Sequence, residues 1–211
     1  MKASIESIEF VHGIPEEMRS AAATLYHDAF GAKFAVAVSS FEKRIAVLQN
    51  SLNLRFAIGA VIEGELIGLA GYKTTEGSLT DGITYRTLIR SLGPIRGTWT
   101  AFILSIYERT SPPHELLMDG IVVDAGMRCL GIGAMLLDKL AAFASSSGYS
   151  SLRLDVIDTN PRARRMYERN GFISVGTEHF ACLRWLLGFG ASTTLVRDVS
   201  TMAGSKTPPR C

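Results

Sequence analysis

The run Arg128-Cys129-Leu130-Gly131-Ile132-Gly133-Ala134 sets a fixed positive charge beside two glycines. Glycine lets backbone amides approach an anion with no Cβ in the way. Ahead of the run, Leu116–Val123 is an apolar stretch of buried-strand length. Behind it, Ile132, Leu136, Leu140 and Phe143 recur at the spacing of one helix face, and Gly148 stops the pattern. Strand, glycine loop and helix N-terminus in that order make a pocket for a phosphate-bearing ligand. The amides of Arg128 to Ala134 point at the anion, and the helix dipole adds about 0.3–1 kcal/mol. The chemistry such a loop performs is the binding of a pyrophosphate.

The commoner phosphate motifs do not fit. A P-loop needs Lys-Ser/Thr after its last glycine, whereas Gly133 is followed by Ala134-Met135. A dinucleotide fingerprint needs a third glycine where Leu136 stands, although Asp155 lies near the distance of its acidic residue. A second pattern decides. Asn160, Ala163, Tyr167, Gly171 and Phe172 give N-x-x-A-x-x-x-Y-x-x-x-G-F, downstream of R-x-x-G-x-G at Arg128–Gly133. The two together resemble the GNAT superfamily of acyl-CoA-dependent N-acetyltransferases.

That resemblance implies a function and a set of roles. The acyl donor is acetyl-CoA, and the acceptor is a primary amine that attacks directly in a ternary complex. Ile121 and Val122 pair with pantetheine in sheet-like fashion, and the Val123 N–H donates to the oxyanion. Asn160 contacts pantetheine or backbone, and Ala163 is small enough for the cofactor to pass over. Tyr167 sits near the departing sulfur. A phenol with pKa near ~10 stays protonated at pH 7 and can donate to it.

The amine must also lose a proton. A lysine-type amine with pKa near ~10.4 is neutral about once in several thousand molecules at pH 7, a deficit of roughly 4–5 kcal/mol. Two carboxylates hold positions where family members carry a base: Asp155 on the fifth strand and Asp119 on the fourth. The ordinary alternative is that each accepts hydrogen bonds from strand ends or pairs with an arginine. Arg162, Arg164, Arg165 and Arg169 stud the last helix, either to meet the 3′-phosphate of CoA or as a solvated face. His12, His27, His114 and His179 have neither triad-like nor metal-like spacing, and a nucleophile at Cys129 would face phosphates.

The elements that must position these residues follow from periodicity. Ile5–Val11 reads as a first strand. Pro15 opens a helix with Met18, Ala22, Leu25 and Ala29 on its apolar face, ended by Gly31. Ser40 caps a second helix with the stripe Phe41, Ile45, Leu48 and Leu52. Arg55–Ile62 and Glu65–Tyr72 form a hairpin about Glu63-Gly64. Leu116–Val123, Leu152–Ile157, Phe172–Glu178 and Ser192–Val199 are the later strands. The expected fold is α/β (α+β): a mixed, mostly antiparallel sheet of about seven strands flanked by helices. Residues 1–200 form the domain, and the tail 201–211 has too little to bury to order itself.

Two segments are longer than a minimal family member requires. Thr80–Pro113 reads as two helical pieces split at Gly93-Pro94, with Arg86, Arg90, Arg96, Arg109, Trp99, Phe102 and Tyr107; Glu178–Gly190 lengthens the last connection. Both either line the acceptor site or cover core or a dimer interface.

Composition narrows the class. The chain has 211 residues, 47% hydrophobic, with a net charge of +2, which calls for neither nucleic acid nor an anionic membrane as partner. Cys129, Cys182 and Cys211 are too few and too scattered for a disulfide framework or a zinc site. The first ten residues lack an apolar leader core, so the expected location is cytoplasmic. A homodimer stays open, as do the amine's identity and a longer acyl chain. The alternative of another class is an acyl-CoA-binding or sensing module without turnover.

Overall fold

The computed structural model describes residues 7–35, 40–93, 112–180 and 188–200. Strands β1 (Glu9–His12), β2 (Ala57–Ile62), β3 (Glu65–Lys73), β4 (Glu115–Val123), β5 (Ser151–Ile157), β6 (Ile173–His179) and β7 (Ala191–Asp198) form one sheet in the order β1-β2-β3-β4-β5-β7-β6. Pairing of β4 with β5 is parallel; β1–β2, β2–β3, β5–β7 and β6–β7 are antiparallel. The helices are α1 (Arg19–Ala35), α2 (Phe41–Ser51), α3 (Tyr85–Leu92), α4 (Ile132–Ser146) and α5 (Pro161–Arg169). This is the expected α/β fold, with α3 as a helical insertion between β3 and β4.

Local chemistry explains several boundaries. Glu63 and Gly64 both adopt left-handed backbone (φ 51° and 82°), as the tight turn of a twisted hairpin requires. Ser40 caps α2 by accepting the Lys43 N–H at 3.4 Å. Arg19 joins the first two helices: its guanidinium binds Glu16 and donates to the carbonyls of Gln49 (2.9 Å) and Leu52 (2.7 Å) at the end of α2.

Four expectations need correction. Strand β1 starts at Glu9, with Ser7 and Ile8 not in it, while Ile5 lies outside the described residues. Helix α1 runs through Gly31 to Ala35, because its packing on α2 and β3 outweighs the roughly 1 kcal/mol that an interior glycine costs. Its buried face holds Ala22, Ala23, Leu25 and Tyr26, with Ala29 exposed; the large Tyr26 ring takes the inward position. Phe41 is 53% exposed, its ring resting edge-on against His27 at 4.6 Å, while Leu48 and Leu52 enter the core.

The chain divides into two compact units, residues 1–110 with 119–136, and residues 111–118 with 137–211. In the first, Ile14, Leu25, Tyr26, Leu48, Leu54, Val61, Leu69, Leu79 and Val122 belong to one buried cluster. In the second, Leu116, Leu140, Leu152, Leu154, Tyr167, Phe172 and Leu195 are buried. Edge strand β6 is exposed along its whole length, including Ile173 at 67%. Of the β3–β4 insertion, α3 is capped by a reciprocal Thr84–Thr87 box and ends at Gly93. Residues 94–111, 181–187 and 201–211, with Arg96, Arg109, Trp99, Phe102, Tyr107 and Cys182, lie outside the described residues. No described helix is long and apolar enough to cross a membrane.

Candidate functional site

In the first unit, β4 delivers the chain into the glycine loop. The Asp124 N–H donates to the Ile67 carbonyl (2.8 Å), and the Asp124 carboxylate accepts the Gly126 N–H (2.8 Å), which starts a short 3-10 turn. Cys129 and Gly131 then take left-handed backbone (φ 65° and 82°). The first helical hydrogen bond of α4 runs from the Met135 N–H to the Gly131 carbonyl (3.1 Å). The amides of Ile132, Gly133 and Ala134 therefore precede the helical ladder and point out of its N-terminus as donors. Ile132 is buried and anchors the turn, while Arg128, Cys129, Leu130 and Gly131 are exposed.

These residues fit a pyrophosphate: consecutive donors, the positive end of a helix and an exposed guanidinium. Two details differ from the sequence reading. The Arg128 Nε is used locally, donating to the Val123 carbonyl at 3.2 Å. Gly133 lies within helical backbone, so its missing side chain matters for space alone, and Cys129 carries a left-handed turn usually given to glycine.

On β4, Asp119, Ile121 and Val123 are half-buried and alternate with buried Gly120 and Val122, so the three share one face. A Cβ at Gly120 would stand 2.7 Å from the Phe30 ring, which closes the opposite face. The Asp119 carboxylate accepts a hydrogen bond from the Thr80 hydroxyl at 2.8 Å. Buried Tyr26 of α1 has its phenol pKa pushed well above the usual value, first by burial and then by the negative charge of Asp119.

In the second unit, Asn160 caps α5 by accepting the Ala163 N–H (3.2 Å), with Pro161 at the first helical position. Tyr167 is buried, its ring 5.9 Å from that of Phe172. Burial pushes its pKa up to about 12, which keeps the phenol protonated, and no described group hydrogen-bonds its hydroxyl. Asp155 accepts the Thr194 hydroxyl at 2.5 Å and lies 3.9 Å from the Arg153 guanidinium. Arg164 pairs with Glu168 at 2.8 Å; Arg162, Arg165 and Arg169 line a cavity of about 240 Å³ with Met166 and Asn170. Among the described residues, no group of three His, Cys, Asp or Glu side chains has metal-binding geometry.

The first unit thus holds the loop, Ile121–Val123 and Asp119; the second holds Asp155, Asn160, Ala163 and Tyr167. Sequence reasoning did not single out Thr80, Thr194 or Tyr26. No local pattern marks them, since each threonine meets its aspartate 39 residues away.

The chain matches the acetyltransferase (GNAT) family over residues 21–172 and belongs to it. Its chemistry is acetyl transfer, with acetyl-CoA as donor. Solved structures of the same fold include an acetyltransferase 22% identical, covering 90% of this chain and 99% of that one at a TM-score of 0.61. Another is an N-acetyltransferase from Staphylococcus aureus Mu50, 16% identical, covering 89% and 99% at a TM-score of 0.66. A third is the ribosomal-protein-S18-alanine N-acetyltransferase from Escherichia coli, 14% identical, covering 96% and 99% at a TM-score of 0.52. No curated protein matches the chain in sequence.

Proposed function

We propose that residues 1–200 form a cytoplasmic N-acetyltransferase in which a primary amine attacks acetyl-CoA directly, with both bound at once. The observation that carries this reading is the first unit's arrangement: a donor-lined loop follows the strand that bears Asp119, Ile121 and Val123 on one face. The loop amides and Arg128 hold the pyrophosphate, and Ile121 and Val122 offer strand edge to pantetheine. Bound acetyl-CoA supplies the activated acyl group. The Val123 N–H donates to the carbonyl oxygen as negative charge grows there, and Tyr167 gives its proton to the leaving sulfur. Asp119 receives the proton of the amine. Four residues of strand span about 13 Å, so water relays that proton between the reacting end of β4 and Asp119. Asp155 is the second candidate for this role.

Two measurements test the reading. Calorimetry with acetyl-CoA should give micromolar binding, about −8 kcal/mol, which several charge-assisted hydrogen bonds can supply. Gly133→Glu should abolish it by filling the space at the loop and adding like charge; undiminished affinity would remove the loop from the site. A panel of primary amines, read by CoA release, should contain an acceptor. Tight acetyl-CoA binding with no acceptor would instead identify a sensing module.

A further inference from the structure

We infer that Thr80 is a positioning residue for Asp119, and that the turn carrying Thr80 is built to hold its hydroxyl against that carboxylate. The inference rests on the reading of Asp119 as proton acceptor. Connections between strands have no general need of rigidity, and Thr80 lies in a turn of the long β3–β4 connection, next to buried Leu79. This one is fixed from several sides. The Ser78 amide and hydroxyl both donate to Asp81, at 2.5 and 2.7 Å. The Leu79 carbonyl accepts the Asn53 N–H (2.8 Å), the Leu79 N–H donates to the Tyr72 carbonyl (3.3 Å), and the Thr80 carbonyl accepts the Ile83 N–H (2.9 Å). Packing adds to this: a Cβ at Gly71 would overlap the buried Leu79 side chain, and one at Gly82 would overlap the Ser51 carbonyl.

None of those restraints uses the Thr80 hydroxyl. The turn would stand without it, yet the hydroxyl reaches Asp119 at 2.8 Å across 39 residues of chain. A carboxylate has about four lone-pair sites, so one donated hydroxyl fixes its plane without exhausting its capacity to accept a proton. Thr80 is one of the partners of Asp119. Tyr26, from α1, stays a neutral phenol in the presence of the Asp119 charge, and Asp81 is turned onto Ser78. At Thr80 the β3–β4 connection thereby meets Asp119 through a hydrogen bond.

The test compares Thr80→Val, which keeps the branched shape without the donor, with Thr80→Ser, which keeps the donor. In the free protein, the carboxylate carbon of Asp119, assigned by its loss in Asp119→Asn, is titrated by NMR. Removing a hydrogen bond to the charged form should move its midpoint up by about half a unit to one unit in Thr80→Val, with the wild-type midpoint restored in Thr80→Ser. An unmoved midpoint in Thr80→Val overturns the inference. With the best amine of the panel, kcat should fall about tenfold in Thr80→Val, KM for acetyl-CoA should stay constant, and Thr80→Ser should recover the rate. In an Asp119→Asn background Thr80→Val should cost nothing more. An additive loss with a lowered melting temperature would make Thr80 a structural residue only. If Asp119→Asn keeps full activity, or no amine is acetylated, the proposed role of Asp119 falls and the positioning role with it; a shifted midpoint would then record the contact alone.

Discussion

Asp119 and Asp155 are held in the same way and placed in different surroundings. Each accepts a threonine hydroxyl from 39 residues away, at 2.8 Å and 2.5 Å. Thr194, however, is the register partner of Asp155 across the β5–β7 ladder. Two adjacent strands bring that pair together with no further device, as cross-strand neighbours do throughout antiparallel sheets. Arg153, two residues back on the same strand, lies 3.9 Å from both Glu115 and Asp155 and makes the three side chains a charge ladder on one face. Thr80 comes from a turn, and its place needs the Ser78–Asp81 bonds and the packing of Leu79 and Gly82. A contact the sheet provides automatically is weak evidence of function; one that needs its own scaffold is stronger. The comparison favours Asp119 over Asp155 as the proposed proton acceptor.

The sharpest way to break that assignment is to neutralise each carboxylate in turn. Asp119→Asn should lower kcat by about 10²–10⁴, the usual range for a lost general base, with acetyl-CoA affinity unchanged. Asp155→Asn should stay within about tenfold of wild type and show its effect as a lower melting temperature, since it weakens the ladder with Arg153 and Thr194. The reverse ranking would exchange the two roles. Full activity in the double variant would leave proton removal to water.

Tyr167 sharpens the contrast from the other side of the reaction. Tyr167→Phe should slow single-turnover transfer by about 10², the low end for an acid, because a thiolate leaves fairly well unaided. Phe retains the ring's contact with Phe172, so the melting temperature near neutral pH should not move. The same variant carries a pH signature. With the folded pKa near 12 and an unfolded value near 10, the wild-type contribution is intact below pH ~10. It is lost as pH rises toward 12, because the unfolded phenol ionises first, a loss on the order of 2–3 kcal/mol. Tyr167→Phe should denature less steeply over that window. Equal alkaline curves would mean that the phenol is better solvated than its burial implies, and equal transfer rates would reduce Tyr167 to packing.

What could be read from the sequence and what could not divides along the range of the interactions. The Glu63-Gly64 hairpin, the Ser40 and Asn160 caps and the strand–loop–helix about Gly131 were legible because their determinants lie within a few residues of one another. The end of α1 was not, because tertiary contacts carry the helix through Gly31. The left-handed Cys129 was not, because its conformation is imposed on a residue type that does not ask for it. Both aspartates were legible as candidates by position. Their ranking was not, since it depends on Thr80, Thr194, Arg153 and Tyr26, and only the folded chain sets these around them.

The smallest expected effect tests the comparison most directly. Thr194→Val deletes the hydroxyl that Asp155 accepts, as Thr80→Val does for Asp119, and keeps the branched shape suited to β7. If the Asp155 pair serves the sheet, the loss is one hydrogen bond, about 1 kcal/mol of stability, read by denaturant titration. The rate with the best amine should then stay within twofold of wild type, at the same KM for acetyl-CoA. Thr80→Val should show the opposite division, with a larger change in kcat than its change in stability would explain. Matching kinetic losses in the two variants would mean that both carboxylates take part in proton transfer, and that a threonine partner marks a working aspartate wherever the fold supplies one.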